Sequence, residues 1–334
     1  MAGWVYRMLR LSTVVGCSVA AFAAVMATSG ASEPVRERGD GLVRVLQMNL
    51  CDSGHARCYT GRSVAEASEV IRAEGPDVVT VNEVCQDDVD ALEAALTGGG
   101  GGGDSGSRGV VVSAFQAAWD RRTGAAIRCR NGRPYGIALV ARLAATPRGY
   151  DAVGGAYPMQ DAGGPELRAW LCLGPRAAGS RHLGSLDPVD PGPIDAGPND
   201  PDPNGTAPAA VAVCTTHLAS GSPAVARAQC AYLLATAIPA VRARAGSAPV
   251  ILGGDLNLRS DDSPAAVACL PADDRRADDG QVQHVVATPE LVVGPPRTIA
   301  MPATDHPGLL VTLSRSGAGE TSAGETSAGE TRRQ

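Results

Sequence analysis

At five positions in the chain, a short apolar run is directly followed or preceded by polar residues whose side chains can bind metal or phosphate. They are Asn49, Glu83, His217, the pair Asp255 and Asn257, and the pair Asp305 and His306. Carboxylate and amide oxygens are the ligands that a hard cation such as Mg²⁺ prefers. Histidine adds a group that exchanges protons near neutral pH. Together these residue types are what metal-assisted hydrolysis of a phosphate ester requires.

Taken singly, each of these residues has a simpler explanation. A glutamate at a strand end is usually a solvated cap, Asp and Asn favour turns, and a single histidine is usually structural. The prediction of a site therefore depends on their joint occurrence, each beside a strand. Because residues at one edge of neighbouring strands lie close together, we expect these side chains to converge in one pocket.

The apolar runs predict strands, and amphipathic segments between them predict helices. Leu42 to Met48 alternates in polarity, as a half-buried strand does. Arg62 to Ala73 carries an apolar stripe at helical spacing and ends before Gly75-Pro76. The other predicted strands are 77–81, 110–118, 136–142, 167–173, 211–216, 250–252, 282–287 and 309–313, and the other predicted helices are 87–96 and 223–237. This mixture predicts one α/β domain over residues 42–314.

Composition excludes several other chemistries. All 29 basic residues are arginine, so the chain has no lysine for a P-loop, a Schiff base or a Ser–Lys dyad. The 35 acidic residues give a net charge of −6, which argues against broad electrostatic coating of nucleic acid. A stretch of arginines could still form a local basic rim, or simply a solvated surface: Arg121, Arg122, Arg128, Arg130 and Arg133.

The N-terminus predicts export. Arg7 and Arg10 precede an apolar run over 11–27, and residues 29–31 (Ser-Gly-Ala) offer a small-residue cleavage site, which is typical of a secretory signal peptide. The alternatives are an uncleaved anchor and a lipoprotein signal at Cys17. We expect a signal peptide over 1–31 and a secreted mature chain.

Four segments outside the predicted elements are expected to be flexible. They are the linker 32–41, the glycine-rich insertion 98–108, the Pro- and Asp-rich insertion 184–209 and the repetitive tail 315–334.

Eight cysteines follow the signal peptide, and an even number in an oxidising compartment favours disulfides. No CxxC pair occurs, which argues against a structural zinc site. Eight cysteines allow many connectivities. Our expectation among them is Cys51–Cys58, Cys85–Cys129, Cys172–Cys214 and Cys230–Cys269.

Five short blocks, in this order, resemble the signature of the endonuclease/exonuclease/phosphatase family. They are Gln47-Met48-Asn49, Asn82-Glu83-Val84, Thr216-His217-Leu218, Gly254-Asp255-Leu256-Asn257 and Thr304-Asp305-His306. The resemblance runs from about Val43 to Leu313. It implies an α/β fold of four layers, in which two mixed β-sheets pack face to face with helices outside.

The resemblance also implies the metal ligands. Glu83 would be the main ligand of Mg²⁺ (or Mn²⁺), and Asn49 would help to hold metal or phosphate. Asp305 would support either the metal or the neighbouring His306.

Catalytic roles follow from the same resemblance. Asp255 would orient or deprotonate the attacking water, and Asn257 would bind the scissile phosphate. His217 and His306 would stabilise the transition state or transfer protons. Hydrolysis would then proceed by in-line attack without a covalent intermediate.

One departure from the family pattern concerns the residue that orients the catalytic histidine. The family usually has Asp-Tyr before the late strand, and here the matching pair is Gln283-His284. Gln accepts a hydrogen bond but cannot balance an imidazolium charge. His284 could face the site or pack elsewhere.

Three functions agree with these observations. The first is a secreted, metal-dependent nuclease acting on DNA or RNA. The second is the same chemistry on a lipid phosphodiester or an inositol phosphate, and the third is an inactive extracellular binding protein that keeps the fold. The insertions lack the apolar loops that a lipid-surface enzyme needs, so we expect no stable membrane insertion of the mature chain. We also expect a monomer.

Overall fold

The computed structural model describes residues 42–98, 109–146, 148–177, 210–259, 268–271 and 275–316. The expected signal peptide (1–31), the linker (32–41), the insertion 184–209, and nearly all of the insertion 98–108 and the tail 315–334 lie outside these residues. Those expectations stay predictions.

Within the described residues, the strands are β1 (Val43–Asn49), β2 (Val78–Cys85), β3 (Val110–Ala117), β4 (Trp119–Asp120), β5 (Ala125–Ala126), β6 (Tyr135–Leu143), β7 (Tyr150–Ala156), β8 (Glu166–Leu167), β9 (Ala169–Pro175), β10 (Ala212–His217), β11 (Val250–Asp255), β12 (Arg276–Asp278), β13 (Gln283–Ala287), β14 (Leu291–Val293), β15 (Arg297–Ile299) and β16 (Gly308–Arg315). The helices are α1 (Ser63–Glu74), α2 (Val89–Gly98), α3 (Pro223–Tyr232) and α4 (Ile238–Arg244).

The first sheet has the strand order β14–β16–β1–β2–β6–β3, and β15 also pairs with β16. Its central strands β1 and β2 run parallel, with Asn49 beside Asn82. The flanking strands β16 and β6 are antiparallel to them. The parallel pair therefore brings the C-terminal ends of β1 and β2 to the same edge of the sheet.

The second sheet has the order β12–β13–β11–β10–β9–β7. Here β10 and β11 are the parallel pair, and His217 lies beside Asp255 at their ends. The antiparallel strand β13 places Gln283 on the other side of Asp255. Each sheet thus ends its central strands in polar residues.

An apolar core joins the two sheets face to face. Val45 and Ile137 of the first sheet share one buried cluster with Leu171, Val213 and Ile251 of the second. Side chains alternate between the two faces of a strand, so each strand of this core also presents an outer face.

Helices cover both outer faces. Leu46, next to Val45, packs with Ile71 of α1 and Leu92 of α2. On the other side, Leu252 packs with Val241 of α4. The helix–sheet–sheet–helix order confirms the four-layer α/β sandwich that the resemblance implies.

The helix predicted over 223–237 is longer than expected. α3 continues through a π-helical turn over Leu233–Ala237 into α4, which ends at Arg244. Pro239 has no N–H to donate, but it stands in the first turn of α4, just after the wider turn, where the missing donor costs little.

Judged by length and composition alone, this continuous helix, Pro223–Arg244, could cross a membrane, and it is the one such helix in the described part of the chain. Its buried residues Ala226, Cys230, Leu233 and Val241 pack against the second sheet. The helix is therefore an outer layer of the fold.

All four expected disulfides are present: Cys51–Cys58, Cys85–Cys129, Cys172–Cys214 and Cys230–Cys269. Cys172 and Cys214 lie opposite each other on β9 and β10. Four disulfides in one domain are typical of proteins that fold in an oxidising compartment.

A third, small sheet of order β5–β4–β8 was not predicted. Its strands have two residues each, too few to show an alternating pattern. It matters for the site because β8 ends at Leu167, one residue before Arg168.

Candidate functional site

The ends of the central strands of both sheets meet at one edge of the sandwich. The side chain of Asn49, at the end of β1, donates to Asp255 Oδ2 on the other sheet at 3.1 Å. Asn82 on β2 also bridges the sheets, because its Oδ1 accepts from the Asp255 backbone N–H at 2.7 Å and its Nδ2 donates to Thr216 O at 2.9 Å. The predicted convergence of strand ends is therefore observed.

A β-bulge directs Glu83 into this region. The pairing of β2 with β6 shifts between Asn82 and Val84, so that Glu83 is the extra residue. Its backbone φ is +56°, in the left-handed region, a conformation that costs on the order of 1–3 kcal/mol for a residue with a side chain. Bulges commonly re-aim a side chain next to an active site, and here the carboxylate of Glu83 reaches Asn49 Nδ2 at 3.0 Å.

Asp255 is the buried centre of the cluster. Its Oδ2 accepts from Asn49 Nδ2 at 3.1 Å and from Gln283 Nε2 at 3.2 Å. Its Oδ1 accepts from the Asn257 backbone N–H at 3.0 Å. Burial raises the pKa of Asp255, although the charge of His306 and the hydrogen bonds from Asn49 and from the Asn257 N–H oppose the rise. A carboxylate that is fixed by donors and raised in pKa is better suited to accept a proton than an ordinary exposed one.

The side-chain amide of Asn49 connects the carboxylates of Glu83 and Asp255. Its Nδ2 donates to both Glu83 and Asp255, while its Oδ1 accepts from the Cys51 backbone N–H at 3.2 Å. The hydrogen-bond network thus turns the oxygen of Asn49 away from the carboxylates. Both N–H groups of Asn49 are thus used by the two carboxylates, and its part in holding metal or phosphate stays a prediction.

His217 lies between Glu83 and Asp255. Its Nε2 is 3.9 Å from Glu83 Oε1 and 3.9 Å from Asp255 Oδ2. Its Nδ1 is 2.7 Å from Nη1 of Arg168. Burial lowers the pKa of His217 well below its ordinary value, and the charges of Arg168 and His306 lower it further. The imidazole is therefore neutral at physiological pH.

His306 completes the group on the more exposed side. Its Nε2 lies 3.9 Å from Asp255 Oδ2 and 3.8 Å from Asp305 Oδ1. The Asp305 side chain is half-exposed, at 51%. Thr304, the residue before it, donates its hydroxyl to Asn49 O at 2.8 Å and so ties this loop to the end of β1.

Asn257 also lies in the left-handed region, with φ +49°. Its side-chain Nδ2 donates to Leu218 O at 3.0 Å, and its backbone N–H donates to Asp255. The two bonds fix the turn after β11 beside His217, so all the predicted site residues lie in one region.

Gln283 and His284 take opposite faces of β13. Gln283 is fully buried and contacts Asp255, and its Oε1 accepts from Gln47 Nε2 at 2.9 Å. His284 is also buried, with Nε2 2.7 Å from Leu258 O beneath the turn that carries Asn257. His284 therefore supports the turn from behind.

A buried polar network beneath the site was not predicted. Gln47 Nε2 donates to Asn82 Oδ1 at 2.8 Å and Thr80 Oγ1 donates to Gln47 Oε1. Opposite Thr80, Gly253 lets β11 approach closely, because a Cβ there would lie 2.2 Å from Thr80 Oγ1. Gln47 and Asn82 belong to the signature blocks, but their contacts across the sheets could not be predicted from periodicity, and Thr80 and Gly253 look like ordinary strand residues.

A model of the endonuclease/exonuclease/phosphatase family matches residues 58–308, more than half of the chain. The chain belongs to this family. Members of the endonuclease/exonuclease/phosphatase family hydrolyse phosphoester bonds and in general depend on a divalent metal. The family expected from the sequence blocks is thereby confirmed.

Solved structures of similar fold include members of this family. The endonuclease/exonuclease/phosphatase from Beutenbergia cavernae DSM 12333 is 21% identical, with a TM-score of 0.51, over 83% of this chain and 72% of that chain. The human Nocturnin catalytic domain with bound sulfate anion is 15% identical, with a TM-score of 0.51, over 83% of this chain and 94% of that chain. At these identities the similarity concerns the fold. No curated protein matches the chain.

The side chains at the strand ends fit a hard divalent cation. Glu83 and Asp255 present carboxylate oxygens on either side of His217 Nε2, and oxygen donors of this kind suit Mg²⁺ or Mn²⁺. The neighbouring cysteines, Cys51, Cys58 and Cys85, are all held in disulfides, so they supply no thiolate.

Proposed function

We propose that this chain is a secreted, divalent-metal-dependent phosphodiesterase that cleaves nucleic acid. The observation that carries the proposal is the close approach of four side chains. His217 Nε2 lies 3.9 Å from Glu83 Oε1 and from Asp255 Oδ2, and His306 Nε2 also lies 3.9 Å from Asp255 Oδ2. Asn49 donates a hydrogen bond to Asp255. The four disulfides support a secreted protein, since such bonds persist in oxidising compartments.

Each residue of the cluster has a role that its surroundings favour. Glu83 would hold Mg²⁺ or Mn²⁺, which when bound neutralises charge on the phosphate, and Asp255 is left for proton transfer. Asn257, whose Nδ2 keeps one N–H after its bond to Leu218 O, is the amide placed to bind a phosphoryl oxygen, and Asn49 would fix the two carboxylates. Asp305 is placed to support His306.

Asp255 would receive the proton of the attacking water. Its pKa is raised by burial, and three donors fix the direction of its oxygens. The water oxygen forms a bond to phosphorus as the opposite P–O bond breaks in line. His306, the more exposed of the two histidines, would protonate the departing oxygen.

An arginine-rich hairpin beside the site favours nucleic acid as the substrate. Cys129 in this hairpin is bonded to Cys85, two residues after Glu83. Arg128 and Arg130 flank Cys129 and are exposed. The guanidinium of Arg128 donates to Gly132 O, a neutral partner, so it keeps its full charge for a phosphate backbone.

Hydrolysis by the purified mature chain tests the proposal. DNA, RNA, sphingomyelin and inositol phosphates are compared with Mg²⁺, with Mn²⁺ and with EDTA. We expect EDTA-sensitive cleavage of nucleic acid that is lost in Asp255→Asn and retained in the matched control Asp90→Asn, an exposed acid on α2. Preferential hydrolysis of sphingomyelin or inositol phosphates would contradict the assignment of nucleic acid as the substrate. Hydrolysis of none of the four would favour the inactive binding protein.

The arginine hairpin is tested separately by salt dependence. Each phosphate contact contributes about 0.9 to the slope of log affinity against log salt on duplex DNA. Replacing Arg128 and Arg130 with Ala should therefore reduce that slope by about 2. Replacing the exposed Arg72 and Arg315 removes the same charge elsewhere and should leave the slope unchanged. Equal effects of the two pairs would contradict a binding role for the hairpin.

A further inference from the structure

The unusual feature of His217 is the partner of its second ring nitrogen. Nη1 of Arg168 lies 2.7 Å from His217 Nδ1. A guanidinium only donates hydrogen bonds, so Nδ1 must accept and carries no proton. The single proton of the neutral ring is then on Nε2, the nitrogen that lies 3.9 Å from both Glu83 and Asp255.

Arg168 is held in place along its whole length. Its backbone N–H donates to Gln160 Oε1 at 2.8 Å, and its backbone carbonyl accepts from Gln160 Nε2 at 2.8 Å. Its Nη1 also donates to Glu166 Oε1 at 2.9 Å, and its Nη2 donates to Ser220 Oγ at 3.3 Å. The side chain is only 11% exposed, so the guanidinium is fixed before any substrate binds.

Glu166 gives Arg168 a counter-charge, with Oε1 2.9 Å from Arg168 Nη1. The two residues are two apart and so share one face of the extended chain that joins β8 to β9. Because Glu166 neutralises the guanidinium, Arg168 can face the buried imidazole without an unpaired charge. Glu166 lies in β8, so the small sheet β5–β4–β8 positions the acidic partner of this ion pair.

We propose that Arg168 is a positioning residue that holds His217 as the Nε2–H tautomer, so that His217 donates a hydrogen bond to a phosphoryl oxygen and does not act as a general base. The proposal rests on the proposed phosphodiesterase function. The Nε2–H is too far from Glu83 and Asp255 to form a hydrogen bond with either carboxylate. It can therefore donate to a phosphoryl oxygen as negative charge develops there. Proton transfer is then left to Asp255 and His306.

Nuclear magnetic resonance of ¹⁵N-histidine-labelled mature protein tests the tautomer directly. Long-range ¹H–¹⁵N spectra at neutral pH, with EDTA present, distinguish a protonated from an unprotonated ring nitrogen. The His217→Gln variant assigns the signal, because one ring disappears. We expect wild-type His217 to show protonated Nε2 and bare Nδ1, Arg168→Lys to keep this pattern, and Arg168→Met to lose it. His217 protonated at Nδ1 in the wild type would overturn the proposal.

Kinetics separate positioning from mere structural support. In Arg168→Met we expect kcat to fall by about 10- to 100-fold while KM changes by less than about twofold, as for an interaction realised only in the transition state. Arg168→Lys, which keeps a donor, should restore most of kcat. If Arg168→Met does not fold, Glu166→Gln replaces it, with a smaller fall in kcat and a partial shift of the tautomer signal.

The donor role makes a further distinction at His217 itself. The amide of His217→Gln can still donate, so it should keep activity that His217→Ala loses, a difference of about tenfold or more, since a lost donor costs roughly 10²–10³ in kcat. Equal loss in both variants would overturn the donor role. The spectra remain decisive for Arg168 even if no phosphoester is hydrolysed, a result that would refute only the proposed function.

Discussion

Replacing Gln283 with Glu places a second carboxylate against Asp255. Gln283 Nε2 donates to Asp255 Oδ2 at 3.2 Å, and the side chain is fully buried. Glutamate has the same shape, keeps the acceptor that Gln47 uses, and puts an oxygen where the donor stood. Two like charges at about 4 Å repel by about 4 kcal/mol at an effective dielectric constant near 20.

The repulsion corresponds to about three pKa units at 1.36 kcal/mol per unit. The pair of carboxyls therefore keeps an extra proton up to about pH 7, whereas an unfolded glutamate releases its proton near pH 4.3. Since the folded state binds more protons in this window, stability falls as pH rises, by about 1.4 kcal/mol per pH unit. From pH 5 to pH 7 the Gln283→Glu variant should lose about 3 kcal/mol relative to wild type.

Urea unfolding in EDTA at pH 5, 6, 7 and 8 measures this loss, with the disulfides kept oxidised. Gln283→Met is the control, because it removes the same hydrogen bond without adding a charge and should lower stability equally at each pH. A Gln283→Glu variant whose destabilisation does not change between pH 5 and pH 7 would refute the contact between Gln283 and the Asp255 carboxylate.

Two other predictions concern stability and packing. Burial, with the adjacent Asp52, raises the pKa of Asp88 from 3.8 to about 7. Between about pH 4 and pH 7 the folded state therefore holds a proton that the unfolded chain has released. Stability falls as the pH rises through this range. Asp88→Asn should therefore raise Tm, relative to wild type, more at pH 8 than at pH 5, and an equal change at both would contradict the shift. Gly253→Ala should cost about 1–3 kcal/mol by overpacking, because the new Cβ meets Thr80. Adding Thr80→Ala should recover part of that loss in calorimetry, and a purely additive double variant would contradict the clash.

Much of the fold followed from local pattern. The strand predicted over 42–48 is β1, and the helix predicted over 62–73 is α1. Strand ends were less predictable: the strands expected over 77–81 and 250–252 extend to Cys85 and Asp255. Polar Asn82 and Glu83 broke the apolar run, yet cross-sheet hydrogen bonds to Thr216 and Asp255 keep Asn82 in the sheet.

The site was predictable where residue type carries chemistry, as at Glu83 and Asp255. The contacts that hold those side chains were not predictable, even at Gln47 and Gln283, which the resemblance to the family pointed out, because the partners lie far apart in sequence. Gln47 and Gln283 are 236 positions apart, and Arg168 and His217 are 49 apart. Only the paired sheets bring these residues together.

Metal binding and hydrolysis, measured on the same samples, decide whether the strand ends form one metal-dependent centre. Isothermal titration with Mn²⁺ and with Mg²⁺ is carried out on wild type, Glu83→Gln and the control Asp90→Asn, and phosphodiester cleavage is assayed on the same samples. We expect Glu83→Gln to weaken metal binding by at least about tenfold and to lower cleavage in parallel, while Asp90→Asn matches wild type. A Glu83→Gln variant that binds metal and cleaves as wild type does would contradict a metal-dependent centre at the strand ends.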